Sequence, residues 1–200
     1  MILALHTASQ PYSIAVFTNG TLFENTFHAT HAQSESLIDE IEILCKKANG
    51  TLSDITAIGL TQGPGGYTGI RLGITTAKTI AQVLNLPIFG ISTLEAFVKQ
   101  HAVGTNTYLV TLPATRHDLN IALFVSKNGP YKRLTPDFTC SPQHLETLLK
   151  KFQEPIVQLG HEPLHANTLI RYVQECLKTQ QAGSYKNLQP LYTHPPTSVF

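Results

Sequence analysis

Short apolar runs separated by turn residues fill the first sixty positions. Ile2 to His6, Ser13 to Thr18 and Thr21 to Phe27 each have the length and composition of a strand. Asn19-Gly20 lies between the second and third. Both residues tolerate the positive φ of a two-residue hairpin turn. From Ser34 to Ala48 the period becomes helical: Leu37, Ile41, Leu44 and Ala48 recur on one face. Glu35, Asp39 and Glu40 stand near its start and Lys46-Lys47 near its end, as the helix dipole favours. Asn49-Gly50 stops it. Ile55 to Leu60 reads as a strand and Thr68 to Asn85 as a helix with Ile70, Ile74, Ala77, Ala81 and Leu84 as its buried stripe.

The same order returns in the second half. Thr107 to Leu112 and Leu119 to Val125 are strands, Asn128-Gly129-Pro130 a turn, and Tyr131 to Leu134 a third strand. Ser141-Pro142 opens a helix, Ser as cap and Pro in the first turn, that runs to about Phe152. Pro155 to Leu159 is a strand and Pro163 to Lys178 a final helix. Strand, strand, turn, strand, helix, strand therefore occurs twice, a repeat of topology and not of residues. It predicts an α/β protein of two like lobes with a site between them. Leu188-Gln-Pro-Leu-Tyr-Thr-His-Pro-Pro reads as an extended segment along the surface.

Two hundred residues, 42% of them hydrophobic, are enough for a sizeable core. Fourteen basic and thirteen acidic residues leave a net charge of +1, which argues against coating nucleic acid or a membrane by charge alone. Cys45, Cys140 and Cys176 are odd in number and far apart, as expected of reduced thiols. MILALHTAS lacks a basic n-region, and no apolar run approaches the ~20 residues of a membrane span. The expectation is a soluble, cytoplasmic protein with no membrane partner.

The strongest local signal is Gly63-Pro-Gly-Gly-Tyr-Thr-Gly69-Ile-Arg71, set between a strand and a helix. Such glycines let backbone N–H groups converge on an anion at a helix N-terminus, with Thr68 as a possible cap. The loop has neither the Lys-Ser/Thr of a P-loop nor the third glycine of a dinucleotide fingerprint. A tight turn with close helix packing through Gly69 and Gly73 explains it equally well.

GPGGYTGIRLGITTAK resembles the GPGSFTGLRIG signature of the TsaB/YeaZ family. MILALHTAS is similar to that family's opening ILAIDTS, AQSESLID to its QHSExLLP, LPIFGISTLEAF to its IPLVGVSSLEAL, and LQPLYTHPP to its closing PLYLR segment. The first half matches closely, the second at scattered points. The resemblance implies a two-lobed, duplicated actin-like ATPase (ribonuclease H-like) fold, with lobes over 1–103 and 104–200. It implies a vestigial nucleotide loop at Gly63, Gly65, Gly66 and Thr68.

Members of that superfamily hold metal and phosphates with one carboxylate per hairpin tip. Here the first tip is His6-Thr-Ala-Ser9, where relatives show Asp-Thr-Ser, and the second is Pro113-Ala-Thr-Arg116, where they show Asp-Ala-Arg. Asp118 is displaced from the second tip, and Gln33 stands where many family members have His. The resemblance therefore implies a subunit with no catalytic residue, metal or cofactor of its own, in the machinery that adds threonylcarbamoyl to adenosine next to the anticodon in tRNAs reading codons that begin with A. ATP, magnesium and threonylcarbamoyl-adenylate act on partner subunits. The implied partners are a TsaD-like catalytic paralogue, a TsaE-like ATPase and tRNA through the complex, with a homodimer when the chain is alone. The implied docking surface is the pair of first-lobe helices, whose apolar positions Leu37, Ile38, Ile41, Ile43, Ile80 and Val83 exceed one buried stripe.

His161-Glu-Pro-Leu-His165 matches the HExxH zinc-protease pattern. The pattern needs both histidines on one helical face, and Pro163 places His161 in a loop and His165 in a first turn. Three rival readings remain: a small kinase or ATPase of the same fold, a zinc peptidase, and a structural homodimer unrelated to tRNA.

Overall fold

The computed structural model describes residues 1–28, 37–114, 117–127, 129–150 and 155–193. Strands β1 (Ile2–His6), β2 (Tyr12–Thr18), β3 (Thr21–Phe27), β4 (Ala57–Thr61) and β5 (Ile88–Ile91) form one sheet in the order β3-β2-β1-β4-β5. Strands β6 (Asn106–Pro113), β7 (Leu119–Ser126), β8 (Lys132–Arg133), β9 (Phe138–Cys140) and β10 (Ile156–Leu159) form the second. Its order is β10-β6-β7-β8, with β9 also on β7. In each sheet an antiparallel hairpin adjoins a parallel strand, β1 with β2 and β4, β6 with β7 and β10.

The helices are α1 (Leu37–Lys47), α2 (Tyr67–Leu84), α3 (Thr93–His101), α4 (Pro142–Leu149) and α5 (Asn167–Lys178). Pleating divides each strand between two cores. Leu3, Leu5, Ile14, Val16, Ile58 and Leu60 point outward beneath α1 and α2. Ala4 and Ala15 point inward, into a core shared with α3, α5 and the second sheet. Helix α4 covers that sheet's far face through Leu145 against Leu109, Ile121 and Leu123. The layers therefore run helices, sheet, helices, sheet, helix, with α3 and α5 common to both sheets.

The inner face of the first sheet carries one row of small residues. Ala15, Ala4 and Gly59 lie in one row across β2, β1 and β4. A Cβ on Gly59 would collide with Val173 and crowd the Leu169 carbonyl of α5. This row lets α5 lie close to the strands. The start of α5 lacks a side-chain cap of its own. Its N–H groups are met from the first sheet instead: Ala166 N–H donates to Ser13 Oγ at 2.9 Å and Asn167 N–H to Glu24 Oε1 at 3.2 Å. Ser13 Oγ in turn donates to Glu24 Oε1 at 2.9 Å. These bonds satisfy donors that a helix start leaves open.

The hairpin and stop signals behave as the residues require: Asn19 and Gly20 have φ of 49° and 77°, and Asn49 has φ of 57°. Several expectations need correction. The final helix begins at Asn167, not Pro163: residues 163–165 are not helical, and the His165 N–H is donated to Gln100 Oε1. The strand read over Tyr131 to Leu134 is only Lys132–Arg133, and β9 is an added pairing on β7. β5 and α3 complete the first half. Their short apolar stretch carried no long period to find. The segment from Leu188 runs along the surface as read, with Gln189 and Leu191 exposed, but its first residue, Leu188, is buried in the outer core. Ser34 and Glu35 at the expected start of α1, Gln33, Asn128, Phe152 and Pro195-Pro196 lie outside the described residues.

Overpacking a sealed row of this kind costs about 1–3 kcal/mol. Gly59→Ala is expected to lower stability to urea by about that amount, and adding Val173→Ala to recover part of it, as a contacting pair should couple. Equal losses that simply add would contradict the close seating of α5.

Candidate functional site

The carboxyl ends of β1 and β4 and the start of α2 converge on a cleft of about 430 Å³, closed on its far side by Leu112 and Pro113 of β6. The cleft is lined by the first tip, Thr7 to Gln10, by Tyr12, and by the loop from Gly65 to Gly69. A site at strand carboxyl ends between two like units is the usual place for ligands in open α/β sheets.

His6 stands at the first tip but does not reach the cleft. It is fully buried, with Nδ1 2.9 Å from Thr61 Oγ1 and Nε2 2.9 Å from Ser9 Oγ. A neutral imidazole has one N–H and one lone pair, so one hydroxyl accepts from the ring and the other donates to it. Burial, with a lesser contribution from His165, lowers its pKa from 6.5 to about 3. Thr61 is at its side because β1 and β4 are parallel and in register, Leu5 opposite Leu60. Neither Thr61 nor Ser9 stood out in the sequence; the adjacency of β1 and β4 was the signal that would have found Thr61.

Ser9, His6 and Thr61 line up as nucleophile, base and orienting group. The chemistry fails at the middle position. A base whose conjugate acid has a pKa of about 3 cannot take a serine proton near neutrality, and a hydroxyl cannot stabilise an imidazolium as a carboxylate does.

The glycine loop is folded down on the first tip. Gly66 N–H donates to the Ala8 carbonyl at 2.7 Å, and Thr7 Oγ1 donates to the Gly69 carbonyl at 2.7 Å. A Cβ on Gly65 would strike the Ala8 carbonyl, and one on Gly69 the Thr7 carbonyl. These contacts account for Gly65 and Gly69 through close packing. Thr68 does not cap the helix: Gly66 occupies that position, with no side-chain bond, and Thr68 is the second helical residue. Gly65, Gly66 and Thr68 line the cleft, whereas Gly63 faces the carbonyl of Leu191.

Magnesium is held by carboxylates together with phosphate oxygens. Among the described residues the cleft presents hydroxyls, one amide, backbone and apolar groups, and no carboxylate. That donor set does not fit a metal-bound nucleotide. Arg116 of the second tip lies outside the described residues, and Asp118 follows it, its carbonyl accepting from Ala114 N–H at 3.0 Å.

The HExxH residues are not stacked on a helix. Glu162 accepts from its neighbours' N–H groups, Gly160 at 3.2 Å and His161 at 2.8 Å, while His165 Nδ1 is 3.6 Å from Glu24 Oε2. No group of three or more His, Cys, Asp or Glu that could hold a metal occurs among the described residues.

Of the expected docking residues, Leu37, Ile41 and Ile80 are buried in the outer core. Ile38, Ile43 and Val83 are exposed, at 37%, 45% and 76%. Burial therefore divides the six residues between folding and surface. Among the described residues no helix is long and apolar enough to cross a membrane.

Two sheets built on one topology, sharing a helical layer and enclosing a cleft at their strand ends, define a two-lobed actin-like α/β protein. The solved structure "YeaZ from Pseudomonas aeruginosa" superposes with a TM-score of 0.79 at 18% identity, over 96% of this chain and 98% of that one. The sequence profile described as TsaD, tRNA N6-adenosine threonylcarbamoyltransferase, matches residues 27–158. The chain belongs to that family, and within it to the TsaB/YeaZ group. It is 28% identical over 162 residues to the tRNA threonylcarbamoyladenosine biosynthesis protein TsaB of Bacillus subtilis (strain 168), spanning 80% of this chain and 71% of that protein. The protein of the same description from Escherichia coli (strain K12) is 31% identical over 93 residues, 46% of this chain and 40% of its own length.

His6 makes stability depend on pH. Its folded pKa lies below its unfolded value, so between pH 6.5 and about 3 the unfolded state binds more protons. The contribution of the neutral ring is complete above pH 6.5 and declines by about 1.4 kcal/mol for each pH unit below it. Urea melts at pH 7 and pH 5 should show this loss in the native chain and its disappearance in His6→Gln. A wild-type pH dependence unchanged in His6→Gln would contradict the buried neutral ring. A fluorophosphonate probe at pH 7 should leave Ser9 unlabelled; stoichiometric labelling would show an active base.

Proposed function

We propose that this chain is a non-catalytic subunit in the formation of threonylcarbamoyladenosine in tRNA, acting in the cytoplasm by docking to a catalytic TsaD-like paralogue. The observation that carries the reading is His6: where the superfamily places a metal-binding carboxylate, this chain has a neutral imidazole sealed between two hydroxyls. The names of its relatives supply the pathway. ATP, magnesium and threonylcarbamoyl-adenylate then act on the partner subunits, and this chain supplies surface. The heterodimer recruits a TsaE-like ATPase and carries tRNA, and the chain pairs with itself when alone.

The docking surface is the outer face of α1 and α2. Ile38 and Ile43 project from α1 and Val83 from α2, and none of the three lines the cleft. Apolar side chains exposed on adjacent helices suit helix-on-helix packing.

Ile43→Asp and Val83→Asp are expected to keep native circular dichroism and to reduce co-purification of the TsaD-like partner at least tenfold. Co-purification that survives both changes would sink the docking surface. Ile80→Asp is a test of folding and not of docking, because Ile80 is 6% exposed. The isolated chain should show no magnesium-dependent ATPase, and calorimetry with ATP and magnesium should show no heat beyond dilution. Turnover that is abolished by Gly65→Trp would favour an active enzyme of this fold instead.

A further inference from the structure

The segment from Leu188 to Thr193 touches both sheets where the cleft lies between them. Leu188 is buried in the outer core, and its carbonyl accepts from Lys78 Nζ of α2 at 3.2 Å. Leu191 N–H donates to the Gln62 carbonyl at 2.7 Å, just beyond β4. The Leu191 carbonyl then covers Gly63, whose φ of +108° and lack of Cβ the contact requires. Tyr192 stacks on Tyr67 at the start of α2, centroids 5.5 Å apart and planes 25° from parallel. Arg71 adds its guanidinium to the Tyr67 ring, 4.8 Å from the centroid.

One residue further on the segment reaches the second sheet. Thr193 Oγ1 donates to Asn120 Oδ1 at 2.5 Å. Asn120 is buried on β7 and is itself held: Thr139 Oγ1 donates to the same oxygen at 3.1 Å, and its Nδ2 donates to the Pro113 carbonyl at 3.3 Å. Three consecutive residues thus connect the glycine loop of one sheet to the tip of the other. Leu191, Tyr192 and Thr193 also line a cavity of about 470 Å³ with Ser92, Arg133 and Asp137. The segment therefore has open space beside it as well as contacts beneath it.

We propose that residues 188–193 are a clasp that fixes the spacing of the two sheets at the cleft, with Tyr192 as the latch. Leu188 is the fixed end, because its side chain is part of the core. The Tyr192–Tyr67 stack and the Thr193–Asn120 bond are the releasable end. Both must part before the sheets can open about the shared α3–α5 layer. Among the described residues the Tyr192 hydroxyl has no hydrogen-bond partner, so the latch acts through its ring. This device goes beyond the docking role and does not depend on it.

The test is a distance distribution across the molecule in the full-length chain. Spin labels carried by noncanonical amino acids at exposed Gln82 on α2 and Gln143 on α4 report the separation of the outer helices and leave the three cysteines in place. Tyr192→Ala should at least double the width of the distribution and shift it to longer distance. Tyr192→Phe should match the native chain, and Thr193→Val should fall between them. Coincident distributions for the native chain and Tyr192→Ala would overturn the clasp, as would Tyr192→Phe broadening as much as Tyr192→Ala. If Tyr192→Ala loses its far-ultraviolet circular dichroism, Thr193→Val decides: broadening supports the clasp, and a native distribution overturns it.

Discussion

The seat of α5 on the first sheet is the contact on which the arrangement of the molecule depends. Ala15, Ala4 and Gly59 leave a shallow trough across three strands, and Leu169 and Val173 fill it. Ser13 and Glu24 supply the cap that the helix lacks. Close approach and borrowed caps work together, because short N–H bonds need the backbone near and the backbone comes near only over small residues. A helix that follows the last strand of the second sheet thereby becomes part of the packing of the first. A division of the chain by sequence is crossed by its core.

That seat determines the cleft. With the two sheets held on one helical layer, the ends of β1, β4 and β6 meet, and the glycine loop closes over the first tip. His6 then lies inside the protein. The same burial that makes its ring a sound structural bridge between Thr61 and Ser9 removes its value as a base or as a charged ligand. An acid at this position would need a compensating cation to be buried equally well. The loss of a carboxylate and the tight closure of the tip are thus physically consistent, and they leave a cleft suited to shape and hydrogen bonding more than to charge.

On the proposed reading, function moves to surfaces under these constraints. The outer helices offer Ile38, Ile43 and Val83, while Leu37, Ile41 and Ile80, on the same two helices, hold the fold together. Both sets are apolar and periodic in the sequence. Only depth separates them, and depth is decided by which side of each helix meets β1 to β5.

The sequence by itself determined the element types where periods were long or turn chemistry was strict: the two hairpins, α1, α2, and the doubled order of strands and helices. Residue identity, which is independent of packing, also fixed His6 and Pro113 at the positions where the resemblance to the TsaB/YeaZ family implies carboxylates. Local chemistry is enough for such conclusions because φ preferences and apolar spacing act over a few residues. Tertiary structure decided the rest. It placed Thr61 and Ser9 on the two sides of one ring, turned Gly63 toward Leu191 while Gly65 and Gly66 faced the cleft, started α5 four residues later than its pattern suggested, and drew Leu188 into the core. Each of these depends on partners far away in the chain, so contact and burial, not residue type, settled them.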